Sequence, residues 1–318
     1  MTQMIRVGLD LGGTKIAAIA LNMAGTVVFE RRIATPRDDY TQTIRALGAL
    51  TQAAEAATAA YAFVGIGIPG SISPHSGLVQ NANSTWLNGK PLKADIETAL
   101  ARPVRLANDA NCLAMSEAHD GAAAGAASVF AIILGTGCGG GMVINRALHQ
   151  GHHSIAGEWG HTPLPWPDAD EYPGPECWCG KTGCLETWLS GPGLSRDHHQ
   201  ITGATMTAEQ IATAAANGDS AATKTLDRHV GRLARGVAAV LGIVDTDIVV
   251  IGGGLSAMAH LYERLPDLVA RHVFTGHFTT DIRPAAHGDA SGVRGAARLW
   301  AADECAGKYD PAMPRGTP

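Results

Sequence analysis

The residues best spaced for chemistry lie near the middle of the chain. His161 precedes Cys177-Trp178-Cys179, and after Gly180-Lys181-Thr182-Gly183 comes Cys184. One imidazole and three thiolates supply the four tetrahedral ligands of a closed structural zinc site, with no coordination position left open for catalysis. Gly180 and Gly183 let the backbone fold tightly around an ion, and metal binding would then order an irregular loop. The plainer alternative is three reduced thiols beside an unrelated histidine. His149, His152 and His153 lack a convincing fourth partner and read as solvated loop.

Two glycine turns form a second set, Asp10-Leu11-Gly12-Gly13-Thr14-Lys15 and Gly135-Thr136-Gly137-Cys138-Gly139-Gly140-Gly141. Backbone N–H groups on such turns can surround phosphate oxygens where side chains would collide. Neither is a Walker A loop, because Thr14 precedes Lys15 where that motif has Lys before Ser or Thr. Gly135, Gly137 and Gly140 do fit G-x-G-x-x-G, but a dinucleotide site needs a helix next and Met142–Asn145 reads as a strand. Each turn alone is explained by a plain hairpin. Two of them, one with a carboxylate at a strand end, point to phosphate, with Asp10 holding Mg²⁺ directly or through water.

Asn108-Asp109 ends another buried strand, with Asn111 beyond it. An aspartate there can act as general base towards a hydroxyl, or simply cap the helix that follows. Asp245 and Asp247 read as turn residues. Glu158 lies in Ala156-Gly-Glu-Trp-Gly-His161, and Glu186 follows Cys184 by two positions. If zinc ties His161 to Cys184, the two carboxylates come close and can accept hydrogen bonds from vicinal sugar hydroxyls. Trp159 and Trp166 would pack nearby or be ordinary buried aromatics.

The elements that must position these groups follow from the apolar pattern. Ile5–Asp10, Ile16–Leu21 and Thr26–Ile33 read as three antiparallel strands joined by tight turns. Asp38 or Asp39 can cap a helix running towards Ala60. Val64–Ile68 and Val104–Ala107 are buried strands on either side of a helix over Pro91–Ala101. A second round begins with the strand Ser128–Leu134, a turn over Gly135–Gly141 and a strand over Met142–Asn145. The acidic, Pro-rich stretch 168–176 is unlike any regular element. Thr207 caps a helical region reaching Leu241 and broken near Gly218. Ile248–Ile251 then runs into Gly252-Gly253-Gly254, and Ala290–Ala302 forms a last helix.

Each half thus runs an apolar strand into a glycine turn. Duplicated lobes explain this better than one sheet, since ligands collect at the carboxyl ends of strands. The expected domains are an α/β lobe over 1–120, completed by a helix at about 290–305, and a larger lobe over 121–289 carrying the cysteine motif. The tail, 306–318, is expected to be disordered.

Bulk properties exclude several classes. The chain has 318 residues, 46% of them hydrophobic and 17% charged, with 39 glycines and a net charge of −5. Without a basic run, nucleic-acid binding by phosphate neutralisation is disfavoured. The longest uncharged stretch, 121–145, holds seven glycines, so a lipid span there would leave loop backbone unsatisfied. No basic segment precedes an apolar one at the start, which argues against a secretory signal. Six cysteines in a chain expected to be cytoplasmic suggest metal or free thiols before disulfides.

Together, Asp10-Leu-Gly-Gly-Thr-Lys15, Gly135-Thr-Gly-Cys-Gly139, Gly157-Glu-Trp-Gly-His161 and Cys177-Trp-Cys-Gly-Lys-Thr-Gly-Cys-Leu-Glu186 resemble the ROK family of sugar kinases and repressors, from about Met4 to about Trp300. Thr35–Tyr40, Gly67–Pro74 and Asn81–Gly89 are more narrowly similar to bacterial fructokinases of the manno(fructo)kinase type. The longer loop 162–176 agrees with that subgroup. The resemblance implies a two-lobed, actin-like (ribonuclease-H-like) α/β fold that closes over a hexose and MgATP, in a homodimer. It implies Asp109 as the base acting on the 6-hydroxyl of D-fructose, with mannose as a second substrate. Asn83, Asn108, Glu158, His161 and Glu186 would hold the sugar. Asp10, Gly12, Gly13, Thr14, Lys15, Thr136 and Gly137 would face phosphate and Mg²⁺, and Gly253 and Gly254 the adenosine. His161 would ligate zinc through one nitrogen and meet sugar with the other. A glucose or N-acetylhexosamine kinase is the alternative enzyme. A non-catalytic sugar-binding regulator is the other alternative, although the repressors' helix-turn-helix has no room ahead of Asp10.

Overall fold

The computed structural model describes residues 3–308. They form two compact units, one built from the residues up to Ser116, Gln150–Ala156 and those from Asp289 on, the other from Glu117–His149 and Gly157–Gly288.

In the first unit, strands β1 (Gln3–Leu11), β2 (Lys15–Leu21) and β3 (Val27–Ala34) form an antiparallel meander. Helix α1 (Tyr40–Thr58) leads to β4 (Ala60–Ile68), a two-rung hairpin of β5 (Ser71–Ile72) and β6 (Val79–Gln80), helix α2 (Leu92–Leu100), β7 (Val104–Asn108) and α3 (Asp109–Asp120). The sheet order is β3-β2-β1-β4-β7, with β4 and β7 parallel to β1. Every residue of β4 is buried, as expected of a parallel strand covered on both faces. Asp39, not Asp38, caps α1 by accepting the Gln42 N–H, and Ala59 ends that helix in the left-handed region.

The second unit repeats this logic with β8 (Ser128–Leu134), β9 (Cys138–Ile144) and β10 (Ala147–Leu148), then α4 (Leu185–Leu189), α5 (Gly191–Thr202), α6 (Ala208–Ala216) and α7 (Ser220–Val244), and finally β11 (Ile248–Gly252), α8 (Ala259–Ala270) and β12 (Asp281–Pro284). Its order is β10-β9-β8-β11-β12, with β9 antiparallel to β8 and β11 parallel to both β8 and β12. Thr207 and Gln210 form a capping box on α6, and after Gly218 (φ +91°) Asp219 caps α7.

Three local expectations need correction. The second glycine turn is shorter than expected, because β9 already begins at Cys138. A Cβ on Gly140 would lie 2.8 Å from Gly157 O and 2.8 Å from Trp159 Cδ1, so glycine inside this strand admits the Gly157–Trp159 backbone against it. The stretch 168–176 contains a capped turn, Ala169–Glu171, whose Glu171 is buried against Arg232 (2.7 Å) and Arg235 (2.8 Å) of α7. Asp197 of α5 extends this ion-pair network to Arg232 and Arg228. Trp159 is buried, edge-on to Phe130, but Trp166 is 58% exposed and stacked on His272.

The chain then supplies α9 (Ser291–Arg298) and α10 (Ala302–Lys308) to the first unit, two helices where one was expected. The break places Trp300 in the core, its indole donating to Val64 O at 2.8 Å with the Arg105 guanidinium 4.0 Å from the ring centroid. Helix α9 lies on the sheet over two glycines: a Cβ on Gly8 would meet Val293 O at 2.1 Å, and one on Gly65 would meet Ala296 O at 1.9 Å. Of the tail expected over 306–318, the part to Lys308 is helical and the rest lies outside the described residues. Among the described residues, no helix is long and apolar enough to cross a membrane.

Candidate active site

In the first unit the register of three parallel strands gathers the candidate residues. Asp10 of β1 pairs with Gly67 of β4, and Gly67 pairs with Ala107 of β7. Asp10 and Asn108-Asp109 therefore sit at one edge of the sheet, the carboxyl end of its parallel strands, where α/β proteins collect ligands. The turn after Asp10 is closed by Gly12 N–H to Lys15 O at 3.0 Å, and the Thr35 hydroxyl donates to Gly12 O at 2.7 Å. Gly13, Thr14 and Lys15 are exposed at its tip. Asn83 is exposed beside buried Ser84, whose hydroxyl lies 3.6 Å from where a Gly13 Cβ would be.

Both carboxylates at this edge resist ionisation. Burial, then repulsion from Asp109, pushes Asp10 up to about 6, with Lys15 pulling it back. The protein massed around Asp109 raises its carboxyl too, against hydrogen bonds from the Ala110 N–H and Asn108. Because the Asp109 side chain keeps an open surface, solvent limits that rise. Asn108 accepts from the Ala110 N–H at 2.8 Å and donates to Gly70 O at 3.2 Å. Asp109 is the first residue of α3 and also accepts from Ala110 at 2.8 Å. The capping task is thus shared with Asn108, and the open surface of Asp109 remains available to a hydroxyl. The donor set suits a hard divalent cation at Asp10, since a buried carboxylate whose pKa is raised further by Asp109 gains from positive charge beside it.

In the second unit His161, Cys177, Cys179 and Cys184 converge, with ligand atoms all within 4.8 Å of one another. Cys177 Sγ lies 3.6 Å from His161 Nδ1, and Cys179 Sγ lies 3.6 Å from Cys184 Sγ. The edge of a tetrahedron with zinc–sulfur bonds of about 2.3 Å is about 3.8 Å, so the cluster has the dimensions the ion needs. Burial and the neighbouring thiols push Cys184 up to about 12, and a divalent cation would remove that penalty. The histidines 149, 152 and 153 are exposed and belong to no such group.

Around the cluster, His161 ends a short turn in which its N–H bonds to Glu158 O at 3.3 Å, and both side chains are half-buried. Glu186, in the first turn of α4, reaches the glycine turn: Cys138 N–H donates to its Oε2 at 3.0 Å, and a Cβ on Gly137 would meet that oxygen at 2.7 Å. Gly135 closes the turn by bonding Gly137 O at 3.0 Å, with Thr136 at its tip. Gly253, at φ +86°, has no room for a Cβ beside Leu134 O, and Gly254 N lies 3.8 Å from where a Gly135 Cβ would be. The two glycine turns of this unit are therefore neighbours.

Two participants were missed from sequence. Trp178 donates its indole N–H to Glu186 Oε1 at 2.6 Å, and its position between two cysteines was the available signal. Gly292 at the start of α9 abuts Asp10, a Cβ there lying 3.1 Å from Oδ2, and nothing local marks it.

The ROK family model matches residues 6–303. An N-acetyl-D-glucosamine kinase of Vibrio cholerae is 40% identical over 296 residues, covering 92% of this chain and 98% of its own length. Among solved structures, the ROK hexokinase of Thermus thermophilus is 30% identical with a TM-score of 0.83, over 93% of this chain and 97% of that one. The ROK family glucokinase of Streptomyces griseus, solved with glucose and AMPPNP, is 28% identical with a TM-score of 0.73, over 93% and 98%. Likeness at this level extends over both compact units, and the chain belongs to the ROK family of proteins.

Proposed function

We propose that the protein transfers the γ-phosphoryl group of MgATP to the 6-hydroxyl of a free hexose, with N-acetyl-D-glucosamine preferred. What carries this reading is the 40% identity to the Vibrio cholerae N-acetyl-D-glucosamine kinase over nearly the whole of both chains. It favours an N-acetylhexosamine over D-fructose and mannose, which the stretches 35–40, 67–74 and 81–89 suggested.

In this reaction Asp109 takes the proton of the sugar 6-hydroxyl. The oxygen then bonds to the γ-phosphorus, the bond to the bridging oxygen breaks, ADP leaves and Asp109 returns its proton to solvent. A carboxyl raised above the ordinary range is the stronger base once ionised. Asp10 would hold Mg²⁺, Gly12, Gly13, Thr14 and Lys15 would face phosphate, as would Thr136 and Gly137, and Gly253 and Gly254 would border the adenosine. Mg²⁺, when bound, neutralises charge on the transferring oxygens. Asn83, Asn108, Glu158, His161 and Glu186 accept or donate to the sugar hydroxyls. His161 turns Nδ1 towards Cys177, which leaves Nε2 for a hydroxyl. Zinc held by His161, Cys177, Cys179 and Cys184 would fix that ring and fold the loop around it.

A coupled ADP-release assay with MgATP tests the proposal against N-acetylglucosamine, N-acetylmannosamine, glucose, fructose and mannose. N-acetylglucosamine should give the highest kcat/KM. Preference for fructose would overturn the sugar assignment, and no turnover by folded protein would favour a non-catalytic sugar-binding regulator.

A further inference from the structure

We propose that Trp178 is a positioning residue of the sugar site, holding the Glu186 carboxylate and the His161 ring in the orientation that receives the sugar. This rests on the kinase reading for the roles of Glu186 and His161, but the contacts themselves do not.

Trp178 is 68% exposed, so it adds little to the core, and what it does touch are polar groups. It stands between Cys177 and Cys179, so a backbone folded around the cysteine cluster fixes its base. Its indole N–H donates to Glu186 Oε1 at 2.6 Å, while Cys138 N–H donates to Oε2 at 3.0 Å. Each oxygen of the carboxylate is thereby tied to a different anchor, one on the cysteine loop and one on the glycine turn. Its ring also meets the His161 imidazole edge-to-face, centroids 4.9 Å apart at 88°, a favoured aromatic geometry. One indole therefore contacts two of the three half-buried polar groups assigned to the sugar in this unit, Glu158 being the third. The open face of the ring adds an apolar surface suited to the C–H face of a pyranose or to an acetamido methyl.

An incoming hydroxyl must share Glu186 Oε1 with the indole or displace it, so Trp178 reports on sugar and not on nucleotide. Removing the N–H while keeping an aromatic ring frees the carboxylate to rotate, which costs binding in proportion to the lost charged hydrogen bond.

The test is Trp178→Phe, with Trp178→His as the variant that retains a ring N–H. Trp178→Phe should raise the sugar KM about tenfold (about 1.4 kcal/mol) with the ATP KM and the zinc content unchanged, and Trp178→His should recover part of the loss. In the unaltered protein, one indole N–H resonance should move on adding sugar and stay in place on adding MgADP. An unchanged sugar KM in zinc-loaded Trp178→Phe overturns the inference. If that variant does not fold, the absence of any sugar-responsive indole resonance in the unaltered protein overturns it instead. Should that resonance respond to sugar while no hexose is phosphorylated, the kinase reading falls and this inference stands.

Discussion

Asp10→Asn should make the metal-free protein more stable while abolishing its activity. Asp10 is half-buried, and its carboxyl is lifted from an ordinary 3.8 to about 6, first by burial and then by Asp109. Every tenfold change in a group's ionisation equilibrium corresponds to about 1.4 kcal/mol, so the ionised carboxylate costs the fold up to about 3 kcal/mol. Solvent reaching a half-buried group reduces this to about 2 kcal/mol. Because the folded pKa lies above the unfolded one, the unfolded chain ionises first as pH rises. The cost is absent below the ordinary value and complete above about 6. Urea denaturation with EDTA, at pH 8 and pH 4, reads this directly. Asp10→Asn should gain about 2 kcal/mol at pH 8 and nothing at pH 4, and MgATP should narrow the gap by binding only the unaltered protein. Since Asp109 supplies part of the repulsion, Asp10→Asn and Asp109→Asn should together gain less than the sum of their separate gains. An Asp10→Asn protein no more stable than the unaltered one at pH 8 would refute the argument that this carboxylate is held at a cost for function.

Asp109→Asn should lower kcat by at least about 100-fold while sugar binding by calorimetry persists, and in the unaltered protein kcat/KM should fall on the acid side with an apparent pKa above the ordinary carboxylate range. Substantial residual turnover would remove Asp109 from the base role. Cys179→Ser should lose zinc by elemental analysis and open the loop before α4 to proteases; normal metal content would sink the zinc assignment. Glu171→Ala leaves Arg232 and Arg235 without their shared buried carboxylate and should cost about 3–5 kcal/mol in urea denaturation.

The strands of both sheets were legible because β4 and β8 are near-continuous apolar runs, the pattern of strands covered on both faces, and β1 is apolar at Ile5, Val7, Leu9 and Leu11, every second position. Caps were legible where the side chain and the N–H it accepts are three residues apart, as in Thr207 and Gln210. What escaped depends on distant partners. Gly139–Gly141 look like a turn until Gly157 and Trp159 are seen against the strand they form. Glu171 looks like one more acid in a solvated loop, because the arginines that bury it stand on α7. The contact between Gly292 and Asp10 joins opposite ends of the chain. Asp10, Asp109 and the cysteine cluster stood out because strand ends and ligand spacing are local patterns, whereas for Trp178 the sequence offers only its place between two cysteines, and its contacts with Glu186 and His161 appear in the fold.

The stretches that suggested fructose show why a sugar is harder to read than a fold. In Thr35–Tyr40, the Thr35 hydroxyl and N–H brace the Asp10 turn through Gly12 O and Thr14 O, Asp39 caps α1, and the Tyr40 hydroxyl donates to Asp95 at 2.6 Å. In Gly67–Pro74, Gly70 sits at φ +71°, where a Cβ would meet Gln80 O at 2.3 Å. In Asn81–Gly89, Asn88 brackets Ala82 by bonding both its N–H and its carbonyl at 2.9 Å. These residues shape a turn, a cap and a hairpin that any hexose kinase built this way can use. Sugar choice instead depends on a few hydroxyl and acetamido contacts, each buried group left unpaired costing about 1–3 kcal/mol. The carboxylate of Glu186 already accepts from Cys138 and Trp178, so if it receives the sugar as proposed, a hydroxyl gains only the difference between its own hydrogen bond and the one it replaces. Differences that small are set by ångström-scale placement around the sugar site proposed at Glu186 and His161, which is why motifs that specify the scaffold do not by themselves specify the hexose.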